Sequence, residues 1–248
     1  MTAVYVLWLR ELRRYVRSRV QIVISLAQPM LYLVALGFGL GPTFQKAGQG
    51  SYVQFVAPGV IGMAVLFSAT FSGIGLLWDR QFGFLKETLV APVSRGHLML
   101  GRTMGGATVA LLQGLLIFVV CVLAGFRPVS MLQLPMAFVF VALIAIVFAA
   151  LGTSIGSVLQ DMQGFQMVMN FLVMPLFFLS GALFPLAGLP AAMALVTRLD
   201  PLTYGIDGLR GTLIDVSYIG AGTDVVALCV FAVVFLALGA RLFSRIQV

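Results

Sequence analysis

Charge is what this sequence has least of. Only 9% of its 248 residues are Asp, Glu, Lys or Arg, where a soluble domain carries about 25%. So few charges cannot build a solvated surface, so lipid must be the solvent for most of the exterior. Histidine is nearly absent too. The single His97 excludes a two-histidine zinc motif. The two cysteines, Cys121 and Cys229, each sit inside an apolar run. They exclude a disulfide framework and a metal-ligand spacing, and they read as small buried side chains. The two lysines, Lys46 and Lys86, follow Gln45 and Leu85, so the chain has no Gly-Lys pair. Without one there is no P-loop, and ATP hydrolysis by that route is excluded.

What is present is apolar. Hydrophobic residues make up 61% and aromatic residues 11%, including 20 Phe. The net charge of +7 is not a nucleic-acid signature, because the basic residues fall in short breaks between apolar runs rather than along one face of a soluble domain. The N-terminus does not read as a cleavable signal peptide. It carries five Arg between residues 8 and 19, and the run that follows is long enough to span.

A charge at mid-bilayer costs several kcal/mol, so charge-free intervals mark the spans. These intervals are 20–45, 47–78, 103–126, 128–160, 162–197 and 225–240. A crossing helix needs about 20 residues, which places spans near 21–41, 53–77, 103–125, 134–158, 164–184 and 223–243. The last interval is short, but Asp224 and Arg241 can reach the interface by snorkelling. Pro185, Gly188 and Pro190 end the fifth span. The stretch 186–222 carries Arg198, Asp200, Asp207, Arg210 and Asp215 among apolar residues. It is too polar to span and too apolar for a free loop, and short interfacial or re-entrant helices fit it. The fold class is therefore all-α: a polytopic membrane protein of six transmembrane helices.

Orientation follows from Lys and Arg. The N-terminus, the 79–102 loop, the 160–163 turn and the C-terminus together hold eleven; the opposite segments hold four. The richer side is cytoplasmic, so both termini lie inside. Trp8 and Trp78 fall at cytoplasmic interfaces. No acidic or basic residue is expected deep in a span, and Asp161 reads as part of a solvated turn. Residues 1–20 predict an amphipathic helix on the cytoplasmic leaflet. Val4, Leu7, Trp8, Leu12 and Tyr15 form its apolar face, and Arg10, Arg13, Arg14 and Arg17 lie toward phosphates. The same segment also serves as a topology anchor.

Gly152-Thr153-Ser154-Ile155-Gly156 matches the nucleophile-elbow pattern. That motif needs a strand–turn–helix setting, whereas this one ends a long apolar helix. The only histidine is in a loop, so no base is at hand, and Gly152 and Gly156 read better as a small-xxx-small helix contact. Gly101, Gly105 and Gly106 at the start of the third span permit close packing. In the 79–98 loop, Phe82, Leu85 and Leu89 share a helical face, Lys86 and Glu87 lie off it, and Pro92 stops the helix. Such a helix either docks an apolar ridge into a partner or hugs the membrane.

The run Lys86-Glu87-Thr88-Leu89-Val90-Ala91-Pro92-Val93-Ser94-Arg95 resembles the coupling helix of ABC-2 type transporter permeases. Leu179-Ser180-Gly181-Ala182-Leu183-Phe184-Pro185-Leu186, with Leu189-Pro190, Pro201-Leu202-Thr203-Tyr204 and Arg210, is similar to that family's C-terminal signature. Gln54-Phe55-Val56-Ala57-Pro58-Gly59 opens the second span as the family does. The likeness runs over residues 1–248 as a single transmembrane domain, nearest to drug-resistance and nodulation-type exporters.

The resemblance implies ATPase coupling through Arg80, Phe82, Phe84, Leu85, Glu87, Leu89, Pro92 and Arg95. It also implies a re-entrant element on the outer side marked by Ser180, Gly181, Pro185, Pro190, Pro201, Tyr204 and Arg210. Further implications are two separate ATPase subunits that bind ATP and Mg, no cofactor in this chain, a second permease copy (identical or a paralogue), and residence in the inner membrane. The transported class would be an amphiphilic drug, a lipid or a lipid-linked glycan. An intramembrane serine protease and a passive channel or scaffold are the alternative readings.

Overall fold

The computed structural model describes residues 2–46, 51–84, 93–186 and 190–244. These are helical apart from short connections. α1 is Thr2–Arg17 and α2 is Arg19–Lys46. α3, Tyr52–Phe71, continues after a two-residue break as α4, Ile74–Gln81. α5 is Arg95–Leu123; a 3-10 turn at Met131–Gln133 leads into α6, Leu134–Val158; α7 is Met162–Leu179. Two short helices, α8 (Ala191–Leu199) and α9 (Pro201–Ile214), precede α10, Ala221–Ser244. No strand occurs among the described residues.

Five of these rods are long and apolar enough to cross a membrane: Tyr52–Gln81, Arg95–Leu123, Met131–Val158, Met162–Leu179 and Ala221–Ser244. A sixth comes from Ala3–Arg17 and Ile22–Gly37 if that pair, bent by 73°, is one broken span. Local chemistry sets the ends. Asp161 caps α7 by accepting from Gly164 N, and Asp200 caps α9 by accepting from Leu202 N, with Pro201 in the first turn where its missing N–H costs nothing. α5 begins at Arg95, eight residues before the first charge-free position, because Ser94 caps it and the polar residues 95–102 extend the helix beyond its apolar part.

α3 is the hub of the bundle. Every residue from Val56 to Leu66 is buried, as a helix apolar on all sides must be. α2, α5, α6 and α9 pack around it, while α7 and α10 keep most of their outer faces uncovered. Where α3 breaks into α4, Gly73 lies against the Gly152 carbonyl, and Gly152 lies against the carbonyl of Thr70. A Cβ at either position would collide with backbone, which cannot move aside as a side chain can. The small-xxx-small contact is therefore between the break in α3–α4 and α6.

α1 runs lengthwise beside α5. Gly101 meets Val4 and Leu7, Gly105 meets Glu11, and Trp8 Nε1 donates to Thr108 Oγ1 at 2.9 Å. Leu7 and Tyr15 are buried by this packing. The apolar face of α1 thus covers α5, and Tyr5, Val6 and Val16 are among the large residues it leaves exposed.

Candidate functional site

Two polar clusters sit in this apolar bundle, at opposite ends of the α3–α4 rod. At 30 residues, and 1.5 Å per residue, that rod is about 45 Å long. A buried charge must be paired, so each cluster shows what the fold holds together there.

At the α4 end, Asp79 is buried and takes hydrogen bonds from two guanidiniums, Arg10 of α1 and Arg102 of α5. The next residue faces the other way. Arg80 donates to the carbonyls of Leu159 (2.6 Å) and Ser157 (3.3 Å) at the C-terminus of α6. A cation there satisfies orphan carbonyls and meets the negative end of the helix dipole. Across the loop, Arg95 does the same for α10, donating to the Ser244 carbonyl at 2.6 Å. The two stems of the 79–98 loop are thus tied to four helices: α1, α5, α6 and α10. Beside them, Trp78 and Phe82 stack at 5.4 Å, and both rings are exposed, as is Phe84. Leu85, Glu87, Leu89 and Pro92 lie outside the described residues.

Of the other basic residues marked on α1, Arg14 pairs with Glu11 at 2.7 Å, while Arg13 and Arg17 are exposed. Arg102 is inside α5 and buried, and Asp224 is fully buried in the first turn of α10 rather than snorkelling. Asp79 and Arg102 are buried because each finds its partner on a neighbouring helix. Neither carboxyl oxygen of Asp224 has a hydrogen-bond partner among the described residues. Asp207 accepts from Ser217 Oγ and from the backbone N–H groups of Tyr218 and Ile219.

At the α3 start, motifs far apart in sequence come together. Arg210 is buried, lies 4.0 Å from the centre of the Phe55 ring, and donates to the Ala182 carbonyl at 2.9 Å. Ser180 donates to Phe177 O and accepts from Ala182 N, and Gly181 adopts a positive φ of 76° that makes the turn. Gly59 lets α3 lie directly on the Ala182 carbonyl, and Tyr52 Oη donates to Leu183 O at 3.2 Å. Pro201 opens α9 and Pro190 precedes α8. Tyr204 Oη donates to Arg198 O, closing the α8–α9 pair. Pro185 lies in the connection after the Gly181 turn. Burial in the turn between the two short helices raises the Asp200 carboxyl from 3.8 to about 7.

Asp79 and Arg102 were not marked by sequence. The available signal was weak: opposite charges flanking the two spans that one loop joins. Ser154 is not a nucleophile candidate here, since its hydroxyl donates to Ala150 O within α6, and the single His97 bonds Ser94 instead.

The described residues form an apolar helical bundle with a loop braced at both stems and a short helix pair before its last long helix. Residues 2–214 match the ABC-2 type transporter family, and the chain belongs to it. Among curated proteins, it is 32% identical to "Nodulation protein J" of Rhizobium meliloti (strain 1021) over 224 residues, 89% of this chain and 84% of the relative. It is 27% identical to "Inner membrane transport permease YadH" of Escherichia coli (strain K12) over 241 residues, 96% and 93% of the two chains. "Putative transport permease ycf38" of Cyanophora paradoxa matches at 27% over 250 residues, 93% and 83%. The chain is a multi-pass membrane protein of the ABC-2 permease kind.

Proposed function

We propose that this chain is the transmembrane subunit of an ATP-driven exporter that moves an amphiphilic or lipid-linked substrate outward across the inner membrane. Both termini and the 79–98 loop face the cytoplasm, and α8–α9 lie on the outer side. The lack of a Gly-Lys pair supports a separate ATPase, two subunits per transporter, which would hold the ATP and Mg. Two permease copies, identical or paralogous, would enclose the substrate path.

The observation that carries the reading is the bracing of the loop stems. A push on Phe82 and Phe84 reaches α6 through Arg80, α10 through Arg95, and α1 and α5 through Asp79. When the ATPase subunits close, that load moves the helices as a unit, because each tie ends on a helix terminus or a buried charge. The α3–α4 rod carries the same displacement to the Arg210–Ala182 contact at its far end. There the short helix α9 meets α3, the element whose shift would open the outward path.

Site-specific photocrosslinking tests the docking surface. A photoreactive residue at Phe84 is expected to capture an ABC ATPase in intact cells, whereas one at Leu199, exposed on α8, is not. Capture from Leu199, or normal transport with Phe84→Asp, would refute the assignment. The passive-channel reading fails if substrate movement stops when ATP is withheld.

A further inference from the structure

Asp224 is buried without a partner. Ala221, Gly222 and Thr223 are exposed, but Asp224, the next residue of that turn, points inward and is fully buried. Neither of its carboxyl oxygens has a hydrogen-bond partner among the described residues. A buried polar group left unpaired is costly and uncommon, and a buried carboxylate needs a counter-charge. What Asp224 meets is a second carboxyl. Asp207 of α9 is 1% exposed and lies within electrostatic range of it.

Asp207 holds the loop that leads into α10. Its Oδ2 accepts from Ser217 Oγ at 2.8 Å, from Ile219 N at 2.9 Å and from Gly220 N at 3.4 Å. Its Oδ1 accepts from Tyr218 N at 2.9 Å and has a lone pair left. Every one of these partners is a donor, so Asp207 serves them as an acceptor only. The two aspartates converge on Gly220, which donates its N–H to Asp207 and accepts at its carbonyl from Asp224 N at 3.1 Å. Arg210, one turn along α9 from Asp207, does not fill the gap. It donates to the Ala182 carbonyl and faces Phe55, and among the described residues it forms no ion pair with either aspartate. Its charge is still felt at Asp207. Two carboxylates and one guanidinium leave one negative charge at the joint between α9 and α10.

We propose that Asp224 and Asp207 bind a small monovalent cation, with sodium the ion that the outer solution supplies. The two oxygens of Asp224 and the free lone pair of Asp207 Oδ1 are its carboxylate ligands, hard oxygen donors of the kind such ions take. One bound positive charge neutralises the joint, and a divalent ion would overshoot it. The ion ties the short helix α9 to the last span, beside the contact that α9 makes with α3. The source of the ion rests on the exporter reading, which puts this end of the bundle outside; the ligands do not depend on it.

The test is binding of radiolabelled sodium to the purified full chain in lipid nanodiscs at mildly alkaline pH, with choline chloride holding the ionic strength constant. Binding is expected to saturate at one ion per chain. Asp224→Asn keeps the shape and removes the charge, with Asp224→Ser as a second variant. Each is expected to weaken binding by about tenfold or more, as loss of a metal-site partner does. Asp215→Asn removes an exposed carboxylate at the end of α9 and is expected to bind as the wild type does. Sodium is also expected to raise the unfolding midpoint of the wild type above its value in choline, and to leave that of Asp224→Asn unchanged. A cooperative melt of that variant guards against a folding defect.

No saturable binding, equal binding by the wild type and the Asp224 variants, or loss of binding in Asp215→Asn overturns the proposal. So does a carboxylic acid C=O stretch in the infrared spectrum of the sodium-loaded wild type that is absent from Asp224→Asn, because a proton then sits where the cation should. Sodium binding without ATP-driven transport keeps the site and removes the exporter reading. ATP-driven transport without sodium binding does the reverse.

Discussion

Asp79→Asn is the sharpest perturbation of the braced loop. The change keeps the size of the side chain and removes the charge that Arg10 and Arg102 share. The two arginines are not equal. The side chain of Arg102 is 5% exposed and that of Arg10 is 38% exposed. Arg10 can turn to water, so its part of the loss is about 1 kcal/mol or less. Arg102 cannot. Leaving one partner of a buried pair uncompensated costs about 3–5 kcal/mol, which for a chain of this size lowers the unfolding midpoint by on the order of 10 °C. The assay is thermal unfolding in detergent micelles, followed by loss of the monodisperse peak in size-exclusion chromatography. The second arm is Asp79→Asn with Arg102→Met. Replacing a buried pair by an apolar group of similar volume is close to neutral, so the double variant is expected to recover most of the loss, a coupling that neighbouring sites show and distant ones do not. A midpoint for Asp79→Asn within about 1 °C of wild type, or a double variant no more stable than the single one, refutes the buried-pair argument.

Arg210→Lys is expected to lower stability by about 1–3 kcal/mol, because a lysine loses the planar contact with Phe55 while keeping the charge; unfolding of the purified chain reads it, and Arg198→Ala is the control. Gly152→Val places a side chain where the Thr70 carbonyl lies and is expected to abolish monodisperse protein, whereas Gly222→Val, with open space around it, is expected to be tolerated. Burial raises the Asp200 carboxyl from 3.8 to about 7, so the folded chain holds a proton that the unfolded chain has released in that window. Stability therefore falls as pH rises from about 4 to 7, and Asp200→Asn, which keeps the helix cap, is expected to flatten that slope in pH-dependent melting. Phe84→Asp is expected to insert normally and to lose ATPase association, by about 2 kcal/mol of binding or more if the ring is a hot spot, as measured by co-purification.

The spans were legible because charge is so sparse. The gaps between charged residues locate the apolar rods to within a few residues for Met162–Leu179 and Ala221–Ser244. α5 begins eight residues before its charge-free interval, because its first turns are polar and still helical. The prolines and charges of 186–222 predict short helices but do not fix their bounds, Ala191–Leu199 and Pro201–Ile214. The far-end site was readable in its parts and not in its assembly. Phe55, Gly59, Ala182 and Arg210 lie in three separate motifs, and only the fold shows that Arg210 bridges Phe55 and the Ala182 carbonyl. Asp79 and Arg102 were missed because the rule that finds spans treats every charge as a boundary marker. A charge that is buried by partners from two other helices looks the same in sequence as one in water.

The central claim is that ATP hydrolysis by a separate subunit drives transport through the 79–98 loop. Its most direct test is uptake of a fluorescent amphiphile into inverted membrane vesicles that contain this chain and its ATPase. Uptake is expected to require ATP and both proteins, and to be lost with Phe84→Asp while the variant remains in the membrane at wild-type amount. Uptake that proceeds with this chain alone, or that is unchanged by Phe84→Asp, would contradict the account.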